Sequence, residues 1–191
     1  ITGSSGFVGA YLSEILKEKF QVFGLDRVEG SNTSHLLDIE DSGILRGLDS
    51  ELDYIIIHCA AARFDYGISA NVYFEENVSK TKVFLKTLSA LNISQFIHVS
   101  SVAAIDGEGI DYNDDLDCDN AYRATKYLQQ CEVIDWCQKN KVLWDVVMPS
   151  AIYDETTRSD TNIGKLQKIT RFLPIVPKIE VKKSITYLPK F

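Results

Sequence analysis

The stretch LDYIIIHCAA, residues 52–61, constrains the fold more than any other in the sequence. Its apolar core is continuous, so both faces of the segment must be covered. It is far shorter than the roughly 20 apolar residues of a membrane span. A short apolar run without alternation marks a strand buried on both faces, as in a parallel sheet with helices on either side. The neighbouring segments agree. QVFGLD (21–26), SHLLD (34–38), SQFIHVSS (94–101) and LWDVVMPS (143–150) read as further strands. Residues 7–19, 69–91 and 120–139 carry helical patterning, and a polar helical segment falls near 41–48. Strand and helix alternate, which predicts a doubly wound α/β sheet. After Pro149 the rhythm breaks, and Pro174 and Pro177 interrupt the remaining residues. The expected division is a main domain over 1–150 and the start of a smaller lobe over 151–191, with KKSITYL (182–188) as one more strand. The chain opens at Ile1 without Met and stops in mid-pattern, so a longer protein is expected, with the second lobe incomplete here.

Between the first strand end and the first helix lies ITGSSGFVGA, with Gly3, Gly6 and Gly9 three apart. Glycines there let the backbone approach a diphosphate, and a helix N-terminus offers unsatisfied N–H groups to the anion. The spacing is G-x-x-G-x-x-G and not the commoner G-x-G-x-x-G. Turn chemistry alone also accounts for three glycines in seven residues. Asp26 ends the second strand 23 residues after Gly3. That is near the roughly 20 expected of an acid that binds a ribose diol. Such a carboxylate repels a 2′-phosphate; Arg27 beside it could soften that repulsion. The alternative is a strand-end Asp capping a turn.

Tyr122 and Lys126 lie four apart in DNAYRATKYLQQ (119–130), hence on one helix face. An amphipathic surface turn explains an isolated pair of this kind. A sharper reading is a tyrosine base. Moving a phenol from about 10 toward 7 takes roughly 4 kcal/mol. A cation about 4 Å away supplies roughly that much at an effective dielectric near 20.

These motifs together resemble the extended short-chain dehydrogenase/reductases, in the NAD-dependent epimerase/dehydratase family, over nearly the whole chain. Thr2-Gly3-Ser4-Ser5-Gly6-Phe7-Val8-Gly9 fits the family's TGxxGxxG loop. Asp38-Ile39 fits the pair that holds adenine, and Cys59-Ala60-Ala61, after His58, the segment lying along the cofactor. Asn77 fits the N-V-x-G-T helix, with Lys80 where the family has Gly. Tyr122 and Lys126 fit the catalytic YxxxK, and Pro149-Ser150 the turn beside the nicotinamide. The resemblance implies a Rossmann domain, NAD as cofactor, and Tyr122, Lys126 and Ser101 as catalytic residues, with Ser100 against the cofactor. One departure stands out: the family's third Ser/Thr after the strand is here Val102, so the expected oxygen-binding group is Ser101, and failing that none. The implied activity is nucleotide-sugar epimerisation on a secondary alcohol. A reductase or hydroxysteroid-type dehydrogenase and a non-catalytic NAD(H) sensor are the alternatives.

Composition narrows partners. The net charge of −7 speaks against nucleic acid and anionic membrane. Four cysteines without a CxxC pair and three scattered histidines argue against a metal site or disulfide frame. No secretory signal is evident, so the expected location is the cytoplasm. The resemblance allows a homodimer through the two long helices.

Overall fold

The computed structural model describes residues 1–153 and the backbone of 185–187. Contacts divide the chain into two compact units, Ile1–Met148 and Pro149–Phe191.

In the first unit, Thr2 forms the centre of the sheet. It pairs in parallel with Leu25 on one side and His58 on the other. Outward from Leu25 run β1 (Leu25–Asp26) and β2 (His35–Leu36), in parallel register Leu25↔His35. Outward from His58 run β3 (Asp53–His58), β4 (Asn92–Val99) and β5 (Leu143–Val147), all parallel. Chain order therefore reverses at Thr2, which opens a crevice at the carboxyl ends of the strands. The continuous run 52–61 does supply a strand, but only Ile57 and His58 of it are buried while Ile55 is exposed, and its pairing ends at His58, so that Cys59, Ala60 and Ala61 leave the sheet as a loop.

Helix α1 (Phe7–Leu16) starts directly at the glycine loop. The expected helix over 69–91 is three pieces: α2 (Ala70–Phe74), a π turn (Glu75–Ser79) and α3 (Lys80–Leu88). The region 41–48 holds only a 3₁₀ turn, Ser42–Leu45, capped by the Asp41 side chain. Helix α4 (Ala103–Gly107) has no periodic signature; it is started by the Ser101 hydroxyl accepting from Ala103 N–H at 3.2 Å. Helix α5 (Cys118–Asn140) agrees with the expected 120–139. Asp117 caps it by accepting from the N–H groups of Asp119 and Asn120. Its end is fixed by Lys141 in the left-handed region at φ 57°.

The core gathers Leu25, Phe84, Leu85, Leu88, Phe96, Val133 and Cys137, so α3 and α5 close on the sheet. In the second unit, β6 (Ala151–Tyr153) pairs in parallel with β7 (Ile185–Tyr187), within the expected strand 182–188. The rest of that expected strand and the other expectations beyond Tyr153 lie outside the described residues.

Candidate active site

The glycine loop is as tight as the motif requires. Gly3 has φ +68°, and a Cβ on it would sit 2.9 Å from Ala60 N. A Cβ on Gly9 would sit 2.1 Å from Gly3 O. The loop, the α1 start and the Cys59–Ala60 segment thus touch backbone to backbone. No side chain caps α1, so its first N–H groups are open to an anion. The expected Phe7 and Val8 form the first turn of α1, with Phe7 partly exposed.

A cleft of about 250 Å³ adjoins this loop; its walls include Gly3, Ser5, Gly6, Asp26, Asp38, Ile39, Cys59, Ala60 and Ala61. Asp26 Oδ2 accepts from Ser5 N–H and Oδ1 from Val28 N–H, each at 3.0 Å. These bonds fix the carboxylate at the end of β1. Arg27 does not turn toward it. Its Nη1 donates to both oxygens of Glu76, at 2.8 and 2.7 Å, and lies 3.6 Å from Asp38. The Arg27 guanidinium, which could soften the repulsion of a 2′-phosphate, is thus engaged by Glu76. Lys80, at the family's glycine position, is buried and donates to Asp38 at 2.6 Å. Burial pushes Asp38 up, but the Lys80 hydrogen bond and charge, with Ile39 N–H and Arg27, hold it below its ordinary value. A larger apolar cavity of about 550 Å³ opens at the starts of the same strands, around Phe23, Tyr54 and Ile55. Ligands of open α/β sheets bind at the other end, so the smaller, polar cleft is the candidate.

Asn77 is placed differently from expectation. The π turn buries it, where its Oδ1 accepts from Ala62 N–H at 2.7 Å and its Nδ2 donates to Thr125 at 3.1 Å. It ties the loop after β3 to α5 and is not among the residues walling the cleft. Ser100 likewise turns its hydroxyl to Gln130 of α5, at 3.0 Å.

Tyr122 sits edge-on to Phe64 and Tyr73, with centroids 5.9 and 5.7 Å away. Burial holds it above its ordinary 10, and the nearby Ser101 hydroxyl offsets only part of that rise. Val102 is 43 % exposed and carries no polar group. The Ser101 hydroxyl accepts from Ala103 N–H at 3.2 Å. The Tyr–Lys pair departs from the sequence expectation. Lys126 is fully enclosed and donates to Gln129 Oε1 at 2.6 Å and to Val99 O at 3.5 Å. Burial lowers its ammonium to about 8. It is directed to Gln129, so the lowering of Tyr122 expected from a neighbouring cation is not seen.

Gln129 was not anticipated. Its Nε2 lies 3.1 Å from Thr81 Oγ1, 3.2 Å from Ala60 O and 3.2 Å from His58 Nε2. His58 in turn meets Thr2 at 2.7 Å, and burial lowers it to about 3, so the ring stays neutral. A polar chain therefore runs from Lys126 through Gln129 and His58 to the start of the glycine loop. The sequence signal was a glutamine three after Lys126, on the buried face. Pro149 and Ser150 open the second unit.

The sequence matches the NAD dependent epimerase/dehydratase family over residues 1–187. Among solved structures, the chain is similar to a UDP-galactose 4-epimerase, with TM-score 0.75 and 20 % identity over 98 % of this chain and 66 % of that one. It is also similar to UDP-glucuronic acid 4-epimerase from Bacillus cereus, in complex with UDP-glucuronic acid and NAD (TM-score 0.73, 19 % identity, 98 % and 68 %). A third is a double mutant of dTDP-glucose 4,6-dehydratase from Streptomyces venezuelae with NAD bound (TM-score 0.72, 20 % identity, 98 % and 67 %). The chain spans about two thirds of the length of these structures. No curated protein matches it. On the match over residues 1–187, the chain belongs to the NAD dependent epimerase/dehydratase family.

Proposed function

We propose that the cleft binds NAD and that the protein is a nucleotide-sugar 4-epimerase. The observation that carries this reading is the glycine loop packed backbone to backbone on the Cys59–Ala60 segment, with the Asp26 carboxylate fixed at the end of β1 in the same cleft. The diphosphate would lie over Gly3 and the N-terminus of α1, the adenosine ribose on Asp26, and the adenine by Asp38 and Ile39. Cys59, Ala60 and Ala61 would flank the cofactor. Residues 1–150 form the NAD-binding part in this reading, and 151–191 begin the substrate lobe.

Bound there, NAD would take hydride from the sugar carbon and return it to the opposite face. Ser101 donates a hydrogen bond to the reacting oxygen. Tyr122 takes the hydroxyl proton and later returns it. Tyr122 is suited to that only with positive charge beside it; Lys126 would supply it on turning its ammonium from Gln129 toward Tyr122, and that ammonium stays protonated below about pH 8. Gln129 fixes where that ammonium rests.

Elimination of water needs a further acid and base. The residues after Ser101–Val102 are Ala103 and Ala104, which move no proton, and the next acid, Asp106, is exposed. Epimerisation needs neither. A net dehydrogenase is the second reading, favoured by Val102 in place of a second hydroxyl beside the oxygen. Incubation with UDP-, GDP- and dTDP-hexoses, resolving the sugars by NMR while following the reduced-nicotinamide absorbance, separates them. Epimer without net reduction supports the proposal. Stoichiometric reduction, or a 4-keto-6-deoxy sugar, rejects it.

A further inference from the structure

The adenosine end of the cleft holds two cations and an excess of acid. Arg27 Nη1 donates to both oxygens of Glu76, 49 residues away, and lies within 3.6 Å of Asp38. Lys80 Nζ lies 2.6 Å from Asp38, 3.0 Å from Glu76 and 3.6 Å from Glu40. Asp26 stands apart from these pairs, held by two backbone N–H groups. Three carboxylates thus pair with two cations; Asp38 and Glu76 each engage both, and Glu76 holds Arg27 the more closely, at 2.7 Å against 3.6 Å. Arg27 immediately follows the carboxylate placed at the ribose. A guanidinium there, if free, is the side chain best shaped to grip a phosphate. A 2′-phosphate brings up to about two negative charges and three acceptor oxygens.

We propose that Glu76 sets cofactor choice, by holding Arg27 away from the ribose 2′ position so that the cleft rejects the phosphorylated dinucleotide. The inference rests on reading the cleft as the NAD site. Asp26 repels the phosphate, and Glu76 withholds the one neighbouring group that could offset the repulsion. The π turn over Glu75–Ser79 is what presents Glu76 to β1 and buries Asn77 one residue later. Lys80 is no substitute for Arg27, because its ammonium is already shared among three acids.

The test is calorimetric titration of NAD and NADP into the full chain and into E76Q, R27A and R27A/E76Q, with thermal melts to confirm folding. E76Q is expected to lower the ratio of NADP to NAD dissociation constants about tenfold, the scale of one charge-assisted hydrogen bond. R27A/E76Q is expected to show no such gain, since the gain needs Arg27. If E76Q does not fold, E76D draws the carboxylate one methylene back from Arg27 and is expected to move the ratio the same way. An unchanged ratio in the folded variant, with NAD still bound by the parent, overturns the role of Glu76 alone. An equal gain in R27A/E76Q also overturns it, because removal of charge would then suffice. Binding of neither dinucleotide by the parent overturns the reading of the cleft together with the inference.

Discussion

Replacing Gln129 by leucine tests how the lysine is held. In the structure Lys126 Nζ has Gln129 Oε1 at 2.6 Å, and its other partner is Val99 O at 3.5 Å. Leucine fills a similar volume but accepts nothing. A hydrogen bond to a charged group is worth roughly 1.5–3 kcal/mol, or about one to two pKa units. The ammonium, already lowered to about 8 by burial, then falls to about 6–7 on the same arithmetic. At pH 7 the parent carries the charge in about nine molecules of ten, and Q129L in about half or fewer. The pH profiles of NAD affinity and of turnover are the assay. The account expects the alkaline limb, where the charge is lost, to move down by about one to two units in Q129L. In Q129E an added carboxylate favours the charged form, and the limb moves up. Stability follows the same group. Because the folded value lies below the ordinary 10.5, the unfolded chain holds more protons between about 8 and 10.5. Stability therefore rises with pH across that window. In Q129L the rise begins lower. Profiles of Q129L and Q129E that coincide with the parent would refute the reasoning, since packing changes alone do not move a limb in opposite directions.

Tyr122→Phe is expected to keep NAD affinity within about threefold and to lower turnover by about 10²–10⁴, the usual worth of a general base. Steady-state rates and titration of the same preparation check it. Gly9→Ala places a Cβ 2.1 Å from Gly3 O; the loop must open, and NAD affinity is expected to fall by more than about tenfold, measured by titration. His58 is held neutral, at about 3 against an ordinary 6.5. The unfolded chain takes up its proton first as pH falls, so stability present above pH 6.5 is lost progressively toward pH 3. Urea midpoints at pH 7, 5 and 4 should fall in that order.

Where an element rests on local patterning it was legible, although the expected helix over 69–91 is broken by the π turn and 41–48 holds only a 3₁₀ turn. The run at 52–61 and the long helix at 120–139 lie within two or three residues of their ends in the structure. The glycine loop was legible because Gly3 and Gly9 answer steric demands that a spacing records. What was not legible depends on partners distant in sequence. Arg27 read as a neighbour of Asp26, yet its charge goes to Glu76, on the π turn. Lys126 read as the cation for Tyr122, yet the ammonium turns to Gln129, whose other contacts are 48 to 71 residues away. Asn77 fits a cofactor motif, but the π turn rotates it inward, which helical spacing does not foretell. The short helix α4 escaped notice because five residues carry no period and its start depends on one serine hydroxyl.

In the proposed reaction, hydrogen leaves the C4 carbon of a nucleotide hexose and returns to the same carbon. That path is tested most directly with UDP-, GDP- and dTDP-hexoses carrying deuterium at C4, incubated with the protein and NAD and read by NMR. The account predicts both C4 epimers of one nucleotide hexose, with the deuterium still at C4 in each and no net reduced nicotinamide. Loss of the label to water, stoichiometric reduction of the cofactor, or no epimer from any of the three nucleotide hexoses would contradict it.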